Sequence, residues 1–278
     1  MQDLTGKIVA ITGAASGIGR ALADAFGAAG MHVALSDIEA EPLEAAVAEL
    51  TATGIDAAGW VCDVSDAASV DAFAAATFER FGAAHVICNN AGVGGAGGLT
   101  WEVPLAGWEW TIGVNLMGVV HGIRAFVPRL VEQGEGHVVN TASLAGLKAA
   151  PFMAAYNATK HAVVAISESL AHECAMTAPD VGVSVLCPAF IRTRIAESGR
   201  NWPDRLGANP SPLADSPMAG AIRQMIDNGM DPADYAARVI DAVRTNRFFV
   251  LSDDAHAGAT RSRLAEIVDG TPPGLMTL

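Results

Sequence analysis

The sequence predicts an α/β fold in which a parallel sheet is covered by helices on both faces. Three observations predict it. Seven short apolar runs recur along the 278 residues, continuous rather than alternating, as strands buried on both faces read. Stretches of helical character separate these runs, with short connections between them. The first run opens into a turn holding three glycines and then into an alanine-rich helix. Crossovers between such parallel strands are expected to be right-handed.

Taken in order, residues 8–11 form the first strand, and the turn 12–19 leads into a helix from Arg20 towards Ala29 that Gly30 closes. Residues 33–35 form strand two, ending at Asp37, and 41–50 are helical. Strand three spans 57–62 and ends at Asp63. The helix 66–81 follows, with Ser65 and Asp66 placed to cap it. Strand four, 86–88, enters Asn89-Asn90-Ala91-Gly92. After a glycine-rich loop (92–98) comes one long helix over about 105–130. Its apolar residues, among them Trp108, Trp110, Val114, Val119 and Phe126, lie nearly all round, so it is buried on more than one side. Residues 137–140 form strand five, ending near Ser143, and the helix carrying Tyr156 runs to about Met176. Strand six, 183–186, stops at Pro188. Residues 189–230 change character, with Pro203, Pro210, Pro212 and Pro217 among glycines and polar residues. They read as a mobile excursion, because a helix and a strand resume after them. Asp231 caps a helix to about Arg244 with Pro232 at its first position, 248–251 form strand seven, and a short helix covers about 260–268. With no internal repeat or domain boundary, residues 1–278 read as a single domain.

Composition narrows the function. The net charge of -13 argues against nucleic acid or an anionic membrane surface as partner. Cys62, Cys88, Cys174 and Cys187 are scattered. They read as small buried hydrophobes in a reducing, cytoplasmic setting rather than as disulfides. The seven histidines show no ligand spacing, so no metal is expected. The N-terminus lacks a signal-peptide pattern, and no uninterrupted run of about 18 apolar residues suggests a membrane span.

The turn after strand one has the spacing Gly13-x-x-x-Gly17-x-Gly19, with Thr12, Ser16 and Ile18 beside the glycines. Backbone N–H groups at a helix N-terminus make an anion site suited to a pyrophosphate. Gly13 suits the tight turn, Gly17 close phosphate approach, and Gly19 helix–strand packing. Asp37, at the end of strand two, can accept both ribose hydroxyls of an adenosine and would repel a 2′-phosphate. Neither Ser16 nor Ile38 supplies the basic partner such a phosphate needs, so NAD is expected rather than NADP. Asp63-Val64 ends strand three, where a carboxylate could meet an adenine amino group or simply cap a helix.

Tyr156 and Lys160 stand four residues apart on one helix face. Alone, such a pair could be an ordinary surface contact. A nearby ammonium favours phenolate, and bringing a phenol from its ordinary pKa to about 7 takes roughly 4 kcal/mol of differential stabilisation. The pair therefore suits a general acid/base for a hydroxyl proton.

These motifs, together with Asn89-Asn90-Ala91-Gly92, Asn115 and Ser143, give a chain that closely resembles the short-chain dehydrogenase/reductase family over roughly residues 5–195. The resemblance implies a single doubly wound Rossmann-type domain with a seven-stranded parallel sheet in order 3-2-1-4-5-6-7. It implies Tyr156 as acid/base, Lys160 on the nicotinamide ribose, Ser143 on the substrate oxygen, and Asn115 anchoring a water that connects Lys160 to solvent. Asn90, Ala91 and Gly92 would line the floor beneath the adenine ribose, or simply stabilise the central strand. Pro188, Ile191 and Thr193 would meet the cofactor after strand six. The family's usual Pro-Gly is here Pro188-Ala189, whose β-carbon is expected to restrict the backbone and reshape the pocket.

Candidate substrate walls are 94–99, 144–152 and 189–225. Leu144, Leu147, Pro151, Phe152, Met153 and Phe190 are apolar, favouring an apolar secondary alcohol or ketone over a sugar. Residues 197–205 are similar to a segment of family members acting on benzylic alcohols of lignin fragments; Trp202 could instead pack at a subunit contact. The resemblance also implies a homotetramer or homodimer built on the two long helices. Two other readings stand beside the NAD-dependent enzyme: a non-catalytic dinucleotide-binding sensor or scaffold, and an NADPH-dependent biosynthetic ketoreductase.

Overall fold

A computed structural model describes residues 1–210, 217–252 and 255–274. Its centre is one seven-stranded parallel sheet in the order β3-β2-β1-β4-β5-β6-β7. The strands are β1 (Ile8–Thr12), β2 (His32–Asp37), β3 (Ala57–Val61), β4 (Val86–Asn89), β5 (Gly136–Thr141), β6 (Val181–Cys187) and β7 (Phe249–Leu251). Between them lie α1 (Gly17–Ala28), α2 (Ala40–Ala52), α3 (Ala67–Phe81), α4 (Leu105–Ile112), α5 (Gly118–Gln133) and α6 (Ala154–Thr177). Then follow α7 (Pro217–Asp227), α8 (Pro232–Thr245) and, after β7, α9 (Ala255–Asp269).

Unbroken apolar strands place side chains alternately on the two faces. Val9, Ile11, Val33, Leu35, Val86 and Cys88 point into the core beneath α1 and α8. Ala10, Ala34, Ile87 and Val138 point into the core beneath α3 and α5. Phe26 on one side and Phe73 and Phe126 on the other are almost wholly buried. Each such side chain stabilises the fold by roughly 1.5–3 kcal/mol relative to exposure. The sheet edges are less covered, with Val61 on β3 and Phe249 on β7 exposed. All four cysteines are free and buried, as small apolar fillers.

Helix ends follow local chemistry. The Asp66 and Asp231 side chains accept from the N–H groups of Ala68 and Ala233 and so cap α3 and α8. Two expectations are corrected. Helix α1 begins at Gly17 rather than Arg20, because the glycines themselves form its first turn. The single helix expected over 105–130 runs on to Gln133 and is interrupted by a π-helical segment, Gly113–Met117, between α4 and α5. This rod, Leu105–Gln133, is long and apolar enough to cross a membrane by length and composition, but Trp110, Val119, Phe126 and Leu130 are buried within the fold. The excursion at 189–230 is partly helical where it is described, with bends and an isolated bridge between the helical pieces. It holds 3₁₀ turns at Ile195–Asn201 and Asp204–Leu206 and the helix α7, while 211–216 lie outside the described residues.

Candidate active site

The strand order reverses between β1 and β4, and a crevice opens beyond the carboxyl ends of the strands at that point. It widens into a cavity of about 650 Å³. Every site residue expected from the sequence lines this cavity except Gly19 and Asn115, which lie just behind its wall.

At one end, the β1–α1 turn is drawn against the β4 turn. Gly13 has φ +64°, and a β-carbon there would stand 2.8 Å from Ala91 Cα. A β-carbon on Gly19 would stand 2.1 Å from the Gly13 carbonyl oxygen. Ser16, at the N-cap of α1, is extended and makes no side-chain cap, so the first-turn N–H groups face the cavity mouth without a side-chain acceptor. Thr12 Oγ1 accepts from the N–H groups of Asn90 and Ala91, both at 3.0 Å. Asn90 Nδ2 donates to the carbonyls of Thr12 (3.0 Å) and Gly13 (3.3 Å), and Thr141 Oγ1 donates to Asn90 Oδ1. The Asn90 side chain therefore ties the central strands together, while its residue still lines the cavity.

Asp37 is nearly buried. Its carboxylate accepts from Ala15 N–H and Glu39 N–H, each at 3.0 Å, which fixes its plane and leaves lone pairs for further donors. Asp63 Oδ1 accepts from Ser65 N–H (2.9 Å) and Ser65 Oγ (2.7 Å). These residues fit the adenosine half of a dinucleotide: a glycine cradle that a β-carbon would fill, a helix N-terminus, and an oriented carboxylate. One contact lay outside that reading. A basic group does reach this end, because Arg200, 161 residues beyond Glu39, binds the Glu39 carboxylate beside Asp37. A sequence pattern cannot show such a contact between distant segments.

At the other end, Ser143, Tyr156 and Lys160 meet. Ser143 caps a short 3₁₀ turn, accepting from Ala145 N–H at 3.1 Å and donating to the Pro188 carbonyl at 3.4 Å. Its hydroxyl lies on the same cavity wall as the Tyr156 phenol and favours the phenolate. Tyr156 lines the cavity and is partly exposed, yet its hydroxyl is buried. Burial pushes the phenol above its ordinary pKa, and the Ser143 hydroxyl works against that shift. The lowered value is expected from Lys160 together with a cationic cofactor ring; the protein groups by themselves thus do not lower it. The reason is geometric: the Lys160 ammonium sits 5.5 Å from the ring centroid and donates to the Thr141 carbonyl at 2.9 Å. Burial lowers Lys160 itself to about 8. Cys187, its neighbour, is raised by burial to about 12 and stays a neutral thiol.

Asn115 is fully buried in the π-helical segment. Its Oδ1 accepts from Val93 N–H (2.8 Å) and its Nδ2 donates to Val93 O (2.9 Å), holding the β4 loop. It does not contact Lys160 by a direct bond.

The walls differ from expectation in detail. Of 94–99 only Gly94 lines the cavity. Leu144, Pro151, Met153 and Phe190 line it, but Leu147 packs into a core cluster instead. Phe152 is outside the lining; it takes φ +63°, a strained angle for an aromatic residue, and accepts from Gly98 N–H. Trp202 packs edge-on against Trp110 at 5.1 Å and donates to Gly207 O, so its partner lies within the chain. Trp110, Ile226 and Ala259 were not foreseen; they reach the cavity through tertiary packing. Ala189 is not in the left-handed region and donates to Ser252 Oγ, so its β-carbon adds no backbone strain.

Residues 7–204 match the family pattern described as short chain dehydrogenase. The chain belongs to this family. Short-chain dehydrogenases are oxidoreductases that act on hydroxyl and keto groups with a nicotinamide dinucleotide. A short-chain dehydrogenase/reductase from Burkholderia phymatum, solved in complex with NAD, is 40% identical, with a TM-score of 0.95 and complete coverage of both chains. The C alpha-dehydrogenase of Sphingobium sp. is 32% identical over 98% of this chain and 89% of its own. A variant of actinorhodin polyketide ketoreductase solved with NADPH is 28% identical, with a TM-score of 0.74 over 91% of this chain and 97% of its own.

Proposed function

We propose that this short-chain dehydrogenase is a single-domain NAD-dependent enzyme that interconverts a secondary alcohol and its ketone. The observation that carries the reading is the convergence of the Ser143 hydroxyl, the Tyr156 phenol and the Lys160 ammonium on one cavity wall, at the opposite end from Asp37. When bound, the nicotinamide supplies the hydride acceptor or donor. Ser143 holds the substrate oxygen and Tyr156 accepts its proton during oxidation, returning it during reduction. Lys160 would hold the nicotinamide ribose and, together with the oxidised nicotinamide ring once bound, would bias Tyr156 towards phenolate. Asn115 positions the β4 loop beside them. Gly13, Ser16, Gly17, Ile18 and Gly19 would hold the pyrophosphate, Asp37 the adenosine ribose, and Asp63 and Val64 the adenine. Asn90, Ala91, Gly92, Pro188, Ile191 and Thr193 complete the cofactor wall.

Around the substrate end the side chains are apolar: Trp110, Leu144, Pro151, Met153, Phe190 and Ile226. They favour an uncharged, apolar or aromatic substrate. Formation of NADH across a panel of apolar secondary alcohols tests this. Tyr156→Phe should lower turnover by about 100- to 10,000-fold while NADH still binds. Wild-type turnover from that variant overturns the acid/base role, and no turnover of any alcohol or ketone by the wild type favours a sensor or scaffold. Arg200 beside Asp37 supports a second reading, with NADPH as cofactor. Comparing kcat/KM for NAD⁺ and NADP⁺ separates the two.

We further propose a homotetramer, or a dimer, built on the outer faces of α5 and α6. A shallow groove there is lined by Ile123, Ala165 and Ile166, with Ala165 and Ser169 exposed. Sedimentation as a multiple of 28.5 kDa is the expected result.

A further inference from the structure

The 3₁₀ segment Ile195–Asn201 is tied down at two points that lie on opposite sides of the cofactor crevice. On the β4 side, the nearly buried Ser198 accepts through Oγ from Gly94 N–H at 2.9 Å. On the β2 side, Arg200 grips Glu39 with both arms of its guanidinium, Nε to Oε1 at 2.9 Å and Nη2 to Oε2 at 2.7 Å. The two side chains are only 26% and 21% exposed, so this pair is better shielded than most ion pairs on the molecule. Past the segment, Trp202 packs on Trp110 and Arg205 pairs with Glu109 on α4. Glu39, Ser198, Arg200 and Asn201 all line the cavity, so it runs beneath this strap. Glu39 follows Asp37 by two residues and donates its N–H to the Asp37 carboxylate. The strap is therefore fastened to the very loop that fits the adenosine ribose.

We infer that Arg200 and Glu39 form a clasp that closes the substrate loop over the adenosine end of the dinucleotide, so that cofactor exchange requires the clasp to open. The inference rests on the dinucleotide reading of this cavity. A bidentate guanidinium–carboxylate pair is planar and directional, and neither lysine nor glutamine reproduces it. Arg200 and Glu39 are positioning residues in this account; they act by holding residues 195–201 in place.

The test uses the full-length protein and NADH fluorescence in stopped flow, with hydrogen exchange of a peptide covering 195–206 in the protein alone. Arg200→Ala and Glu39→Gln are each expected to raise the NADH dissociation rate about fivefold or more. Each is also expected to speed exchange across 195–206. The reversed pair, Glu39→Arg with Arg200→Glu, is expected to bring both readouts back to within about twofold of wild type. Unchanged dissociation and exchange in the single variants overturn the clasp, as does a reversed pair that restores neither. If Glu39→Gln instead slows NADPH release and leaves NADH release alone, Arg200 is a 2′-phosphate ligand held in check, and the clasp is again overturned. Failure of the wild type to bind NADH or NADPH defeats the dinucleotide reading itself, and the clasp falls with it.

Discussion

Lys160→Met probes the buried ammonium at the centre of the site. Lys160 is 2% exposed, and burial lowers it from 10.5 to about 8. That fall corresponds to about 3 kcal/mol of bias against the charged form. The sign follows from proton binding. Between about pH 8 and 10.5 the unfolded chain keeps the lysine proton while the folded chain has shed it. Stability attributable to this residue therefore rises with pH across that window. Below about pH 8 the folded protein carries the full penalty of a desolvated ammonium. Methionine has no such penalty at any pH. It does leave the Thr141 carbonyl without the lysine donor, which costs about 1–3 kcal/mol, but that cost is independent of pH and cancels from the slope. The stability of Lys160→Met relative to wild type should fall by about 2–3 kcal/mol between pH 7 and pH 10. In melting temperature this is a relative change of about 4–10 °C for a chain of this size. Parallel thermal or urea melts at several pH values measure it. A difference that stays flat from pH 7 to 10 would refute the desolvation argument, and an opposite slope would show that the ammonium is stabilised by an anion. Turnover should fall sharply below about pH 8, where Lys160 carries the charge proposed to tune Tyr156.

Three further outcomes follow from the same geometry. Gly19→Ala drives a methyl to 2.1 Å from Gly13 O and 2.6 Å from Asn90 Nδ2. It should cost about 1–3 kcal/mol or more and weaken NADH binding, whereas Gly220→Ala, an exposed helical site with nothing within 4 Å, should be neutral or slightly stabilising by thermal melt. His137 is buried and lowered to about 3, so the unfolded chain binds its proton between about pH 6.5 and 3. Stability should fall by about 3 kcal/mol from this residue as pH drops from 7 to 4, and His137→Gln should flatten that part of a urea-denaturation series. Ala189→Gly should leave both stability and cofactor binding within about 1 kcal/mol, since Ala189 has no left-handed backbone to relieve.

Much of this molecule is legible in its sequence because strand runs, glycine turns and caps are local devices. Val9 and Ala10 are adjacent and face opposite cores, as an unbroken apolar strand requires. Asp66 and Asp231 cap helices from the positions their residue types predict. What was missed is non-local. Within the π-helical turn at Gly113–Met117 the Asn115 amide bonds to Val93, 22 residues away, and no helix-period pattern encodes that partner. The site residues of the β1–α1 turn and the Tyr156 helix could be named in advance because their spacing is fixed within one turn. Glu39, Arg200 and Ser198 could not, because their contacts span 161 and 104 residues.

That division bears on how the site works. The local motifs build two ends of a crevice, an adenosine end at Asp37 and a reacting end at Tyr156. Neither end constrains the other through the sheet alone. The link is the segment after β6, which passes the reacting end at Pro188 and Phe190 and reaches the adenosine end at Arg200. A loop fastened at both ends makes substrate shape and cofactor residence two readings of one conformation. Changes in the apolar wall at Phe190 or Ile195 should therefore alter NADH release as well as substrate preference, although neither residue belongs to the adenosine end. A family of Phe190 and Ile195 variants whose NADH dissociation rates vary with KM for the alcohol is the expected result. Dissociation rates that stay constant while KM changes would show that the two ends act independently.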